Sequence, residues 1–231
     1  YEPGPIAGPY DLGILRVGTP ICEDAWHEDV PEALSESGAE VILVPNGSPY
    51  YRNKYDTRLT HMVSRVVETG LPLIYLNMVG GQDDQVFDGG TFVLNPGGEL
   101  ALRLPLFDEV IAHVDFEETD AGWRAVPAAI AAFPDEWEQD YQVMVLSLRD
   151  YFRKTGFKEA LLGLSGGIDS AIVATIAADA LGPENVRCVM LPSQYTSQAS
   201  LDDAGEVARN LGTRLDTVSI KDPVGAVNDT L

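Results

Sequence analysis

Leu162-Gly163-Leu164-Ser165-Gly166-Gly167-Ile168-Asp169-Ser170 decides how the second half of this chain is read. It lies between an apolar run, Ala160 to Leu164, and a helical pattern from Ala171 to Leu181 that Gly182-Pro183 stops, so its glycines sit at a strand-to-helix turn. Backbone N–H groups leaving such a turn point outward beside the positive end of the helix dipole, which suits an anion. Phosphate loops of the kinase and GTPase kind follow their last glycine with a lysine, whereas Ile168 and Asp169 stand in that region here. A carboxylate repels phosphate unless a divalent cation bridges the two, so the reading places Mg²⁺ between Asp169 and a phosphate chain.

Working outward, Val186 to Leu191 and Leu215 to Ile220 read as strands, and Leu201 to Leu211 as a helix capped by Ser200 and ended by Gly212. Upstream, Tyr141, Met144, Val145, Leu148 and Phe152 fall on one helical face that Gly156 closes. Alternating strands and helices imply a doubly wound parallel α/β domain over 140–231, with ligands gathering at the strand carboxyl ends. From 118 to 139 the periodicity dissolves into acids, alanines and prolines, which reads as a linker.

Residues 1–117 form a different, mixed α/β layer. Expected strands are Leu15 to Ile21, Val41 to Pro45, Leu73 to Asn77, Thr91 to Asn95, Leu100 to Leu104 and Val110 to Val114. Expected helices are Val30 to Ser37, stopped by Gly38, and Tyr55 to Thr69, stopped by Gly70. Asn95-Pro96-Gly97-Gly98 reads as a hairpin turn.

Composition narrows the function. With 36 acidic against 15 basic residues the formal charge is −21, which repels nucleic acids and anionic membranes, and no basic patch offsets it. No apolar run approaches the roughly 20 residues that span a bilayer. The two cysteines, Cys22 and Cys188, lack disulfide or metal spacing, which fits a reducing cytoplasm. The opening at Tyr1 in a Gly/Pro-rich stretch and the end at Leu231 soon after a strand suggest a piece of a longer protein.

SGGIDS resembles the SGGxDS loop of the ATP pyrophosphatase family. The resemblance implies that Gly163, Leu164, Ser165, Gly166, Gly167, Ile168, Asp169 and Ser170 bind ATP, with Mg²⁺ as its counter-ion, and that the products are AMP, pyrophosphate and an adenylated substrate. It also implies an adenine nucleotide α-hydrolase-like fold. The later run MLPSQYTSQASLDDA, Met190 to Ala204, is similar to NAD synthetases within that family and suits a loop meeting the adenine edge. GMP synthetases and tRNA-lysidine synthetases share the phosphate loop but not this run.

In the first half, Thr19-Pro20-Ile21-Cys22-Glu23-Asp24-Ala25-Trp26 puts a thiol at a strand end where the chain turns, the place for a nucleophile with turn N–H groups available to an oxyanion. By spacing alone a strand-end cysteine is more often buried core filler than a nucleophile. ICEDAW, VPNGSPYYRNK and NMVGGQDDQVFDGG together resemble the nitrilase-type glutaminase domain fused to bacterial NAD synthetases. That resemblance implies a partial nitrilase-like αββα sandwich over 1–117, with Cys22 as the nucleophile that takes the acyl group of L-glutamine as a thioester. It further implies Ser48 and Lys54 as glutamine-holding residues and Glu23 as the partner of the substrate ammonium. A zwitterionic amino acid needs both an acceptor and donors, so the set is chemically coherent. The family's glutamate base and oxyanion lysine lie upstream of the cysteine, yet the 21 residues before Cys22 hold Glu2 and no lysine; they are expected in chain outside this sequence.

The implied activity is a C–N ligase: glutamine-dependent NAD synthesis from deamido-NAD, in a cytoplasmic homo-oligomer whose only partners are small molecules. Two other readings stand beside it. One is an amidotransferase for another adenylated carboxylate, and the other a non-catalytic nucleotide-binding module. His27, His61 and His113 lack clustered partners and read as structural or solvent-facing, Cys188 as an inert core thiol, and Trp26 as either pocket wall or packing.

Overall fold

The structure is a computed structural model describing residues 4–230, which form two compact units. The first comprises residues up to Gly80 together with Asp84–Gln139, and the second Gly81–Asp83 together with residues from Asp140 onward.

The first unit is built on a six-stranded mixed sheet ordered β1-β2-β3-β4-β7-β8. Its strands are β1 (Tyr10–Leu12), β2 (Leu15–Gly18), β3 (Val41–Asn46), β4 (Leu73–Asn77), β7 (Phe92–Asn95) and β8 (Glu99–Arg103). β2, β3 and β4 run parallel; the remaining pairs are antiparallel. β5 (Val79–Gln82) and β6 (Gln85–Asp88) form a small separate pair. Side chains alternate across the sheet as the two-residue period requires. Ile42, Val44, Leu73, Tyr75, Phe92 and Leu94 pack against Leu34 of α1 (Asp29–Glu36) and Met62 and Val66 of α2 (Lys54–Thr69). Burial of such side chains stabilises by roughly 1.5–3 kcal/mol each. Val93, Ala101, Leu102 and Ala125 make a second, smaller cluster.

The segment read as a linker is more ordered than its composition indicates. β9 (Phe116–Thr119) and β10 (Gly122–Ala125) form an antiparallel hairpin, and the buried Asn95 side chain pairs with both backbone groups of Ala125, at 2.8 and 3.0 Å. Residues 128–131 then run beside β8: Ala128 N–H donates to Ala101 O, and Arg103 and Ala131 exchange bonds. Backbone pairing needs no side-chain periodicity, so these contacts leave no trace in the apolar pattern. Conversely, Val110 to Val114 form no strand; Ile111 is 95% exposed.

The second unit contains a three-stranded parallel sheet, β11 (Ala160–Gly163), β12 (Val186–Met190) and β13 (Arg214–Thr217), in sequence order. α4 (Ile168–Leu181) and α5 (Gln198–Leu211) are its crossovers, preceded by α3 (Glu136–Thr155) and followed by α6 (Lys221–Asn228), which the sequence reading missed. Leu164, Ala174, Ala177, Val186, Cys188, Ala204 and Ala208 form the core, and Cys188 is fully buried. α5 begins earlier than expected because Ser197, not Ser200, is its cap: Ser197 Oγ accepts from Ser200 N–H at 3.1 Å. On α3 the expected apolar face is offset: Met144 is exposed, while Leu146 and the carboxylate of Asp150, which accepts from Gly81 N–H at 2.8 Å, are buried.

Candidate functional site

Two sites carry the predicted residues, one in each unit. In the first, β2 ends at Gly18 and the chain reaches Cys22 with a left-handed φ of 54°. A non-glycine residue held there costs on the order of 1–3 kcal/mol and persists only where its surroundings fix it. They do: a 3₁₀ turn over Cys22–Trp26 is closed reciprocally by Asp24 N–H to Ile21 O and Ile21 N–H to the Asp24 carboxylate, at 3.1 and 3.0 Å. Ala25 of the same turn is fully buried, and the Trp26 carbonyl accepts from Arg65 at 3.3 Å. The Cys22 thiol is partly exposed and free.

Cys22, Glu23, Trp26, Gly47, Ser48, Pro49 and Lys54 line one cavity of about 220 Å³. The structure thus brings together all four residues expected in the first unit: the Cys22 turn, the loop after β3 and the first residue of α2 converge on it. The Lys54 ammonium donates to Tyr51 Oη at 3.0 Å and lies 4.4 Å from the centroids of both the Tyr51 and Trp26 rings. That hydrogen bond holds the Tyr51 phenol below its usual pKa. Cation–ring contact fixes the ammonium while leaving its charge available to an anion. Glu23 is exposed at the rim.

Below Ser48 lies a buried polar network. Arg58, fully buried on α2, pairs both of its terminal nitrogens with the Asp88 carboxylate at 3.0 and 2.8 Å and donates from Nε to Ser48 Oγ at 3.0 Å. Asn77 at the end of β4 accepts from Ser48 N–H and donates to Ser48 O. Tyr75 is also fully buried, and burial pushes its phenol up to about 12, so it stays protonated. None of these four was assigned from sequence. The signal was present in α2, whose buried stripe is Arg58, Met62, Arg65 and Val66: two cations on a core-facing row need partners.

Of the three histidines read as structural or solvent-facing, His61 packs beside the site. Its ring stacks on Trp26 at 4.6 Å and 24°, and burial first, then the charges of Arg65, Lys54 and His27, holds its pKa below 6.5. The unfolded chain therefore takes up this proton before the folded chain does as pH falls below 6.5, and folded stability is lost across that window. His61→Phe keeps the stack and removes the titration. The drop in melting temperature between about pH 7.5 and about pH 5.5 is expected to be smaller for the variant than for the parent; an equal drop contradicts the assignment.

In the second unit, Gly163, Leu164 and Ser165 at the end of β11 line a cavity of about 480 Å³ with Met190 to Pro192, Tyr195 to Ser197, Ser200 and Leu201. Gly166 to Ser170 lie beside this lining rather than in it. Gly166 has φ +85°, and Ser165 Oγ and Ser170 Oγ meet at 3.1 Å, bracing the turn. Two loop amides are used internally, Ser165 N–H to Ser170 Oγ and Gly167 N–H to Ser165 Oγ. The first helical bond is Ala171 N–H to Gly167 O, so the amides of Ile168, Asp169 and Ser170 are left at the positive end of α4. The Asp169 carboxylate beside them has no hydrogen-bond or ion-pair partner among the described residues. Nor do those residues contain a cluster of three or more acids, histidines or cysteines able to hold a metal alone, so a cation at Asp169 needs ligand oxygens to complete its shell. No described helix is long and apolar enough to cross a membrane.

Comparison with known proteins matches both halves. The family model described as carbon-nitrogen hydrolase matches residues 1–124, and that described as NAD synthase matches 140–231. The chain is 62% identical over 231 residues to the glutamine-dependent NAD(+) synthetase of Rhodobacter capsulatus, covering all of this chain and 42% of that protein. It is 39% identical over 216 residues to the enzyme of the same name from Acinetobacter baylyi, covering 94% of this chain and 40% of that one. Among solved structures it is similar to the glutamine-dependent NAD+ synthetase of Acinetobacter baumannii in complex with adenosine diphosphate, with a TM-score of 0.89 at 37% identity over 96% of this chain and 42% of that one. The chain thus spans about two fifths of the length of these relatives. A mixed α/β first unit carrying a cysteine at a strained turn, matched over more than half of the chain, makes this protein a member of the carbon-nitrogen hydrolase family, with an NAD synthase region following in the same chain.

Proposed function

We propose that this chain works within a glutamine-dependent NAD(+) synthetase, with a glutaminase part over residues 1–117 and a synthetase part over 140–231. The observation that carries the reading is the pairing, in one chain, of a thiol-bearing cavity and a lysine-free phosphate loop beside a nucleoside-sized cavity.

In the first reaction the Cys22 sulfur bonds to the amide carbon of glutamine, the C–N bond breaks, and ammonia leaves with the proton that the thiol gives up. Water then cleaves the thioester, giving glutamate and the free thiol. Lys54 and the Ser48 hydroxyl hold the substrate carboxylate, and Glu23 accepts from its ammonium. The glutamate base and oxyanion lysine of the family fall, in this reading, outside residues 1–231.

In the second reaction a carboxylate oxygen of deamido-NAD attacks the α-phosphorus of ATP and pyrophosphate departs. Ammonia then displaces AMP from the adenylate. The amides at the start of α4 receive the outer phosphates, and the cavity between β11 and the Met190 to Thr196 loop takes the nucleoside; Asp169 would hold Mg²⁺, the counter-ion of ATP, which would offset the phosphate charge. An adenylate hydrolyses in water and ammonia is lost by protonation, which is a physical reason to join the two reactions in one protein.

Full-length protein supplied with glutamine, deamido-NAD and ATP-Mg²⁺ is expected to form NAD and AMP together. ADP in place of AMP, or no NAD, rejects the reading. Asp169→Asn is expected to raise the Mg²⁺ concentration for half-maximal rate by about tenfold, the effect of one lost carboxylate contact of roughly 1.4 kcal/mol; unchanged magnesium dependence sinks the cation's place at this residue.

A further inference from the structure

Ser48 is held more completely than a loop serine requires. Its N–H donates to Asn77 Oδ1 at 3.0 Å, and its carbonyl accepts from Arg58 at 2.7 Å and from Asn77 at 3.2 Å. Its hydroxyl oxygen accepts from Arg58 Nε at 3.0 Å. Arg58 is itself immobilised: the Asp88 carboxylate takes both terminal nitrogens, and a third acceptor, Pro49 O, lies 3.1 Å from one of them. Arg58 is 0% exposed and Asp88 2%.

The chemistry of the donor sets the direction of the serine proton. A guanidinium has N–H groups and no acceptor. With Nε occupying one lone pair of Ser48 Oγ, the single hydroxyl hydrogen must point elsewhere. Two acceptors compete for it: the buried Tyr75 hydroxyl, which feels the Ser48 side chain, and an anion in the cavity that Ser48 shares with Cys22 and Lys54. A charged carboxylate is a stronger acceptor than a neutral phenol, so the hydrogen turns to the cavity when an anionic group is bound there.

We propose that Arg58, locked by Asp88, is a positioning residue that orients the Ser48 hydroxyl as a hydrogen-bond donor toward the substrate carboxylate in the Cys22 cavity. The proposal rests on the reading that Ser48 holds glutamine. It adds a residue ten positions away that never touches the substrate, and it assigns Ser48 the role of donor rather than acceptor. Lysine cannot replace Arg58, since a single ammonium on a flexible stem cannot meet the Asp88 carboxylate in a fork and also reach Ser48 Oγ.

The test compares Ser48→Ala, Arg58→Lys, the double variant and Asp88→Asn in the full-length enzyme. Glutamate release gives kcat and KM for glutamine, and ammonia-driven synthesis, which bypasses this cavity, reports folding. Arg58→Lys and Asp88→Asn are each expected to raise KM for glutamine about tenfold or more, the low end for losing a charge-assisted hydrogen bond, with kcat changed less than about threefold. In the Ser48→Ala background Arg58→Lys is expected to add little further. An unchanged KM in the single variants, or the same rise with and without Ser48, overturns the proposal and leaves Arg58 as fold support alone. If Ser48→Ala itself leaves KM unchanged, the glutamine assignment of Ser48 fails first and takes the proposal with it. Should loss of ammonia-driven synthesis show that Arg58→Lys misfolds, Asp88→Asn, alone and combined with Ser48→Ala, carries the same comparison.

Discussion

Cys22→Ala is expected to lower glutamine-driven NAD synthesis by roughly a thousandfold or more while ammonia-driven synthesis continues, because the variant loses the atom proposed to form the thioester. No other thiol can substitute: Cys188, the second of two in the chain, is fully buried in the core of the second unit. The fold should tolerate the change. Cys22 is partly exposed, its left-handed backbone is held by the Ile21–Asp24 bonds rather than by the thiol, and alanine has a similar cost in that region. The informative quantity is the ratio of the two rates in one preparation. Equal loss of both activities, or survival of both, removes Cys22 from the role given to it.

Gly166→Ala is expected to abolish synthesis with either nitrogen source, a pattern opposite to that of Cys22→Ala. A Cβ at this position would lie 2.3 Å from the carbonyl oxygen of Ser200, and the backbone has φ +85°, so both sterics and conformation oppose it. The atom it meets is backbone, which cannot swing aside. Either the phosphate turn or the start of α5 must move, and with it the amides of Ile168, Asp169 and Ser170. A displacement of about an ångström at such a site costs on the order of 100-fold in rate. ATP titration followed by calorimetry should show binding weakened together with activity, while glutamate release at Cys22 persists. Unimpaired ATP binding in a folded variant contradicts the assignment of the loop.

How legible the protein was depended on which force placed each element. α2 and α5 ended where expected because Gly70 and Gly212 adopt left-handed caps that few other residues accept, and β4 matched its apolar run residue for residue. Elements placed by backbone bonding or tertiary contact were hidden. The β9–β10 hairpin and the run beside β8 hang on Asn95, Arg103 and main-chain pairs, which carry no period. Val110 to Val114 had the composition of a strand but found no partner. Of the sites, the residues proposed to meet a ligand were named from short motifs, and the structure gathers Cys22, Glu23, Ser48 and Lys54 around one cavity. The Arg58–Asp88 pair beneath them spans 30 positions in sequence, and nothing local in Asp88-Gly89-Gly90 says that its carboxylate faces an arginine.

The account rests on nitrogen made at the thiol cavity being fixed through an adenylate in the second unit. The most direct measurement follows heavy nitrogen from the side-chain amide of labelled glutamine, with deamido-NAD and ATP-Mg²⁺ and the full-length enzyme. The account predicts NAD carrying the label, with one AMP and one pyrophosphate for each NAD formed. Label absent from NAD, or ADP and phosphate in place of AMP and pyrophosphate, would contradict it.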